Sequence, residues 1–343
     1  MSETATDGRH MLLTGAAGFI GFHVTERLLQ AGWRVTGIDN INDYYSQDLK
    51  RARLDILKQH KHFTFFKGDI ADQAFVEATY AAGSPDRVVH LAAQAGVRYS
   101  LAQPRAYIET NMNGFFNIME ASKQAGVDHF VFASSSSVYG ANRNQPLSVA
   151  RPADHPINLY AATKRSNELM AHAYSHLYGM PATALRFFTV YGPWGRPDMA
   201  YFKFTSALMA GEPIEVNNNG EMWRDFTYID DITEGLMRVM DIMPETAAPE
   251  PGQDFPPDAG AAPFAIYNIG GNRPEKLMDM IGLLEKYSGR KADMIMRPMQ
   301  PGEIEMTYAD TDSLTAATGF RPQIRLEDGL KRFMDWYKSH YSV

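Results

Sequence analysis

Apolar and polar positions alternate in blocks along the first half of the chain. The run "MLLT" meets a glycine-rich turn, after which Phe19, Val24, Leu28 and Leu29 recur near helical spacing until Gly32 stops the helix. A second apolar run closes on Asp39, so this opening predicts a strand–helix–strand unit. "FTFFKGDI", "RVVHLAA", "HFVFASSSSVYG" and "ATALRFFTV" predict further buried strands, with helices over Ala106–Ala125 and Asn158–Leu177 between them. Alternation of this kind predicts an α/β fold with a Rossmann-type, doubly wound parallel sheet.

After about residue 190 the alternation weakens and turn residues multiply. "YFKFTSALMAGEPIEVNNNG", "RDFTYIDDITEGLMRVMDIM", "LMDMIGLLEKYSG" and "LEDGLKRFMDWYKS" predict the helices and short strands of a smaller C-terminal α/β lobe. We therefore divide the chain into a Rossmann domain at 10–190, to which parts of the later chain return, and a lobe formed mainly by 191–343. The segment 244–263, rich in Pro, Ala and Gly, reads as a surface loop of that lobe.

Composition narrows the function. Apolar residues at 45% and charged residues at 21% fit a folded enzyme rather than a disordered or fibrous chain. A net charge of −7 offers no basic field to a phosphate backbone, so nucleic acid is not an expected partner. The absence of cysteine removes disulfides, thiolate metal sites and a thiol nucleophile together, and no metal site is expected. The polar start "MSETATDGRH" lacks a signal-peptide core, and no run approaches the ~18 apolar residues of a membrane span. A cytoplasmic protein without membrane attachment is the expectation.

Gly15, Gly18 and Gly21 lie in "TGAAGFIG", after a strand and at the start of a helix. There glycines let the backbone approach a pyrophosphate, and the helix N-terminus supplies donors and partial positive charge. Asp39 ends the second strand, where a carboxylate accepts from a ribose 2′-hydroxyl and repels a 2′-phosphate, which favours NAD over NADP. The blander alternative makes these glycines a tight turn that Asp39 caps. "GDI" at 68–70 ends the next strand and offers Asp69 to the adenine; His90, without an evident partner, reads as a core residue.

Tyr160 and Lys164 in "NLYAATK" are four apart and share one helix face. A nearby ammonium favours the ionised phenol and lowers its pKa from ~10, making a general base. Upstream, "FASSSSVYG" ends a strand at the carboxyl edge of the sheet. Strand alternation puts Ser135 and Ser137 on one face, where either hydroxyl can bond the oxygen that Tyr160 deprotonates. Taken alone, Tyr-x-x-x-Lys is also common on plain exposed helix faces.

Taken in order, "TGAAGFIG", "DN" at 39–40, "HLAAQAGVRYS", "SSSSVYG", "YAATK", "RFFTVYGPWGRPDMA" and "RDFTYIDD" resemble the extended short-chain dehydrogenase/reductase family, most closely its UDP-glucuronate 4-epimerases. The likeness runs over about residues 10–340. It implies NAD binding by the first domain and nucleotide-sugar binding by the lobe, with Phe19, Ile20, Asn40, Ile70, Leu91, Ala92, Ala93 and Asn111 joining the cofactor contacts. Tyr160 would take the proton of the sugar 4-hydroxyl as hydride passes to NAD, giving a 4-keto intermediate that is reduced on its other face. Lys164 would also hold the nicotinamide ribose. Homodimers and polysaccharide-precursor supply are common in the family.

Related decarboxylases and dehydratases carry a carboxylate where this chain has Ser135, Ser136 and Ser137, and a hydroxyl is a poor general acid, so epimerisation is favoured. The resemblance also places Arg98 and Val216 near the nucleotide sugar and Arg224 at its diphosphate. Glu303 stands where the family usually has a shorter Asp, which puts that ribose contact in question. In "FTVYGPWGRP" the glycines and prolines make a turn, whereas Thr189 and Arg196 match positions that hold a sugar carboxylate. A neutral UDP-sugar is the alternative substrate, and a non-catalytic NAD-binding scaffold the alternative of another class.

Overall fold

The computed structural model describes residues 8–246, 252, 254–300 and 302–343; readings of the polar start and of the segment 244–263 fall partly outside them. The Rossmann part opens with β1 (His10–Thr14), α1 (Phe19–Gln30), β2 (Arg34–Asp39), α2 (Gln47–Leu57), β3 (Phe63–Lys67), α3 (Gln73–Ala82) and β4 (Arg87–His90). It continues through α4 (Val97–Ala102), α5 (Pro104–Tyr107), a π-helical turn (Ile108–Gly114), α6 (Phe115–Ala125), β5 (His129–Ser135), a 3-10 turn (Ser136–Tyr139), α7 (Leu159–Tyr178) and β6 (Ala182–Phe187). The later chain gives β7 (Thr189–Tyr191), α8 (Ala200–Ala210), β8 (Ile214–Val216), β9 (Trp223–Tyr228), α9 (Ile229–Met240), β10 (Ala259–Gly260) and β11 (Ala262–Ile269). It ends with β12 (Pro274–Lys276), α10 (Leu277–Ser288), β13 (Met294–Met296), α11 (Asp312–Thr318) and α12 (Leu326–Tyr341).

The main sheet has eight strands in the order β10-β11-β6-β5-β4-β1-β2-β3, parallel throughout except for the antiparallel edge strand β10. Its strands read as unbroken apolar runs because both faces are covered. In β1, Met11 and Leu13 enter one core cluster and Leu12 the other, and all three are buried. The late strand β11 pairs with β6, which puts residues 264–269 in this sheet.

Three local readings change. "ATALRFFTV" is two strands: β6 ends at Phe187, and β7 leaves to join β9 and β12 in a second sheet. Phe188, between them, is turned to β11, donating its N–H to Ile269 O at 3.2 Å. The helix expected over 106–125 contains the π-helical turn at 108–114. Within 244–263, β10 and the first residues of β11 lie at the sheet edge rather than in a loop. Among the described residues no helix is long and apolar enough to cross a membrane.

Candidate active site

Strand order reverses between β1 and β4, and ligands of open α/β sheets bind in the crevice outside such strand ends. Gly15 occupies that point with φ +76°, and a Cβ there would lie 2.9 Å from Ala92 N. A Cβ on Gly21 would come within 2.0 Å of Gly15 O, so the turn is wound too tightly for any side chain. Helix α1 then starts with Gly18 as N-cap, no side-chain cap and no acidic residue in its first turn. Its leading N–H groups form the donor set that a pyrophosphate needs.

One cleft is lined by Gly15, Gly18, Phe19, Ile20, Gly21, Asp39, Asn40, Ile70, Leu91, Ala92, Ala93, Tyr160 and Lys164, so most of the cofactor-facing residues read from sequence converge. Asp39 combines both sequence readings. It accepts from Ala17 N at 3.1 Å and Ile41 N at 2.8 Å, bracing the turn, while also facing the cleft. Burial raises its carboxyl above the ordinary range.

Two expected contacts stand behind the wall instead of in it. Asp69 accepts from Asn40 Nδ2 at 2.9 Å and from Ala71 N at 2.9 Å, so it orients Asn40 and caps its own turn. Asn111, almost fully buried, clasps the backbone of Gln94 at 2.8 and 3.0 Å and donates to Thr163 Oγ1 at 3.1 Å, tying the cleft wall to α7. Sequence reading missed Tyr44, Tyr45 and Lys50, which line the same cleft. Lys50 donates to Asn42 Oδ1 at 2.6 Å over the Tyr45 ring, and burial lowers its pKa to about 8. Its only sequence signal is a polar, tyrosine-containing loop after β2.

Helix α7 is capped by Asn158, whose Oδ1 accepts from Ala161 N at 2.8 Å, and it presents Tyr160, Lys164 and Glu168 on one face. Glu168 locks that face to the sheet. It accepts two bonds from Arg186 of β6 at 2.8 and 2.9 Å, one from Ser134 of β5 at 2.5 Å and one from Arg165 at 2.9 Å. Burial favours its neutral form, yet these cations and donors hold its carboxyl below the ordinary range. Breaking such a buried pair from one side typically costs ~3–5 kcal/mol.

One turn earlier, Lys164 donates to Ala133 O at 2.8 Å, and burial lowers its pKa to about 8. Tyr160 is raised by burial, and the opposing influences come from a hydrogen bond with Ser135 and the charge of Arg196. The expected lowering by Lys164 does not occur: the ammonium is turned to the strand carbonyl, and burial outweighs the two opposing groups, so the phenol stands above its ordinary value. Ser137 also departs from expectation. β5 ends at Ser135, whose Oγ accepts from Ser137 N at 3.2 Å, so Ser137 lies in the 3-10 turn and strand alternation does not apply to it.

A second cleft opens beside the first, and Tyr44, Ser135, Tyr160 and Arg196 line both. Ser137, Thr189, Arg98, Arg224 and Glu303 line the second. Arg98 donates to Glu303 Oε1 at 2.6 Å, leaving Glu303 Oε2 without a hydrogen-bond partner among the described residues. Val216 is fully buried and absent from the lining, and its carbonyl accepts from Arg297 N at 2.9 Å; its neighbours Glu215 and Asn217 face the cleft. Arg224 does not pair with Asp225. It donates to the carbonyls of Trp223 and Glu305 at 2.8 and 2.9 Å, while Asp225 turns inward to accept from Ala309 N and Gly271 N. Among the described residues no carboxylate is a hydrogen-bond partner of Arg224, and burial lowers its pKa.

A dinucleotide crevice that opens at a Tyr/Lys helix into a second, arginine-lined cleft defines a Rossmann-fold nucleotide-binding enzyme of the extended short-chain type. Residues 11–252 match the NAD dependent epimerase/dehydratase family, and the chain belongs to it. It is 46% identical over 333 residues to a probable UDP-glucuronate 4-epimerase of Rhizobium meliloti, covering 96% of this chain and 97% of the relative. UDP-glucuronate 4-epimerase 3 of Arabidopsis thaliana is 43% identical over 98% of this chain and 78% of its own. The crystal structure of UDP-glucuronic acid 4-epimerase from Bacillus cereus, in complex with UDP-glucuronic acid and NAD, superposes with a TM-score of 0.84 at 32% identity, covering 97% of this chain and 100% of that one.

Proposed function

We propose that the protein interconverts UDP-glucuronate and UDP-galacturonate by epimerisation at carbon 4, with NAD as a resident cofactor. The observation that carries this reading is that Tyr160, Ser135 and Arg196 stand where the dinucleotide cleft meets the second cleft. NAD suits the first cleft: the wound glycine turn admits a pyrophosphate, and the half-buried Asp39 on the cleft wall repels a 2′-phosphate. When bound, it supplies reversible hydride acceptance at carbon 4.

The chain's own residues do the rest. Tyr160 moves the 4-hydroxyl proton, Ser135 shares that oxygen, and Lys164 holds the ribose edge of the cofactor while fixing Tyr160 through the helix. Ser137 stands beside Ser135 as a further sugar contact. In the second cleft the Arg224 fork suits the diphosphate, and the paired Arg98 and Glu303 face the nucleoside. Thr189 and Arg196 suit a sugar carboxylate, which favours UDP-glucuronate over UDP-glucose or UDP-N-acetylglucosamine. Incubating the purified protein with each of these three UDP-sugars and resolving the products by chromatography tests the reading. Conversion of UDP-glucuronate alone, or at least tenfold faster, is expected; faster conversion of a neutral sugar would overturn the substrate assignment.

The ionisations give a pH signature. Tyr160 is raised and Lys164 lowered to about 8, so the productive phenolate–ammonium pair is a minority that grows as Tyr160 deprotonates. Above about pH 8, loss of the Lys164 proton offsets that gain. We expect kcat/KM to rise with pH and flatten near pH 8. A rise continuing to pH 9.5 would contradict it.

The protein is also read as a homodimer. Ile108, Phe116, Leu169, Leu177 and Tyr178 are large, apolar and exposed, and all lie on the helical stretch 108–125 or on α7. A sedimentation mass of one chain at micromolar concentration would contradict this.

A further inference from the structure

The turn that carries Arg196 is held from behind by the segment that follows β2. Arg53 of α2 is fully buried and donates to Ala17 O at 2.8 Å in the glycine turn and to Trp194 O and Gly195 O at 2.6 and 3.1 Å. Trp194 sits at φ 59°, in the left-handed region that a tryptophan rarely adopts. A Cβ on Gly195 would fall 1.8 Å from the Tyr201 hydroxyl, so the turn has little freedom to take another path.

On this fixed turn Asp198 accepts from Arg196 Nε at 3.0 Å and from Nη2 at 2.5 Å. Tyr44 donates to Asp198 Oδ2 at 3.1 Å, and Gly96, at φ +106°, leaves room for it, since a Cβ there would lie 2.5 Å from the Tyr44 hydroxyl. A guanidinium has two edges that fit a carboxylate, the side edge of Nε and Nη2 and the end edge of Nη1 and Nη2. Asp198 occupies the side edge. The end edge is left for a second carboxylate in the cleft that Arg196 lines.

We propose that Asp198 and Tyr44 are positioning residues that fix the rotation of the Arg196 guanidinium, so that its end edge holds the sugar carboxylate away from alignment with the carbon-4 carbonyl. The idea rests on the UDP-glucuronate reading. The Arg196–Asp198 pair carries no net charge, so it contributes orientation more than attraction. Orientation matters because a 4-keto glucuronate is a β-keto acid. If the bond from carbon 5 to the carboxylate lies parallel to the carbonyl π system, that bond breaks and carbon dioxide leaves. Its electron pair then forms an enolate with the carbon-4 carbonyl, and the enolate takes a proton from water at carbon 5 to give a UDP-4-keto-pentose.

The test uses the whole enzyme with UDP-glucuronate, resolving epimer from pentose products and measuring kcat and KM. Asp198→Ala should raise the fraction of turnovers that lose carbon dioxide by about tenfold and lower kcat for epimerisation by about tenfold, on the scale of one charge-assisted hydrogen bond. KM should stay within about threefold, because the cation remains while the competing anion is gone. Tyr44→Phe should shift the partition in the same direction by a smaller factor. It decides the matter if Asp198→Ala fails to fold. In an Arg196→Ala background, Asp198→Ala should leave the partition where Arg196→Ala put it, since the two act through one group.

A wild-type partition in folded Asp198→Ala, or in Tyr44→Phe where only that variant folds, would overturn the proposal. So would a further shift in the Arg196→Ala background. If Arg196→Ala itself keeps normal UDP-glucuronate turnover, the carboxylate-grip reading fails and the proposal falls with it. If Arg196→Ala shifts the partition and folded Asp198→Ala does not, the positioning role alone is wrong.

Discussion

Tyr160→Phe is expected to lower kcat by about 10²–10⁴-fold, the range that a positioned proton-transfer group contributes. The variant removes one oxygen from a helix whose register is set elsewhere, by the Asn158 cap and the Glu168–Arg186 lock. Folding and bound NAD should therefore persist, and UDP-glucuronate affinity should change by less than about threefold, because the phenol acts mainly as the reaction proceeds. Substrate binding followed by titration calorimetry, beside a turnover assay, separates the two effects. A fully active Tyr160→Phe protein would sink the mechanism. Loss of NAD or of the folded state would instead make Tyr160 a structural residue.

Arg196→Ala is expected to cost UDP-glucuronate turnover about 10²–10⁴-fold in kcat/KM. That follows from two charge-assisted hydrogen bonds at ~1.5–3 kcal/mol each. NAD content should stay near the wild-type value, since the glycine turn and Asp39 do not depend on this side chain. Part of the loss comes from Asp198, which would be left as a half-buried anion without its guanidinium. The companion change Thr189→Val removes one neutral donor and should cost less. Unchanged turnover of UDP-glucuronate by Arg196→Ala would reduce "GPWGRP" to a turn with an incidental ion pair.

What the sequence conveyed depended on how local each feature is. The glycine turn, Asp39 and the Tyr160/Lys164 pair were readable because each is fixed by spacing within one strand–helix unit. Features made by chain segments far apart were not. Arg53 looks like one more cation on an amphipathic helix, yet it spans 141 residues to reach Trp194. The same is true of Glu168 and Arg186, whose pairing appears only when α7 is laid on β6.

Errors of register have a similar origin. Strand alternation puts Ser137 on the face of Ser135, but the strand ends at Ser135, two residues short of Ser137. "ATALRFFTV" reads as one strand because its apolar run is continuous, although Phe188 is where the chain changes sheets. Asn111 and Asp69 are polar residues near the cofactor cleft in sequence terms. Only their hydrogen-bond partners show that they shape its wall.

Epimerisation through a bound cofactor inverts carbon 4 of UDP-glucuronate inside one site, without exchange of its hydrogen with water. Incubation of the purified protein with UDP-glucuronate deuterated at carbon 4, with no NAD added, checks this. UDP-galacturonate that retains the deuterium at carbon 4 is expected. Product that has lost the label to solvent, or no conversion by folded protein carrying NAD, would contradict it.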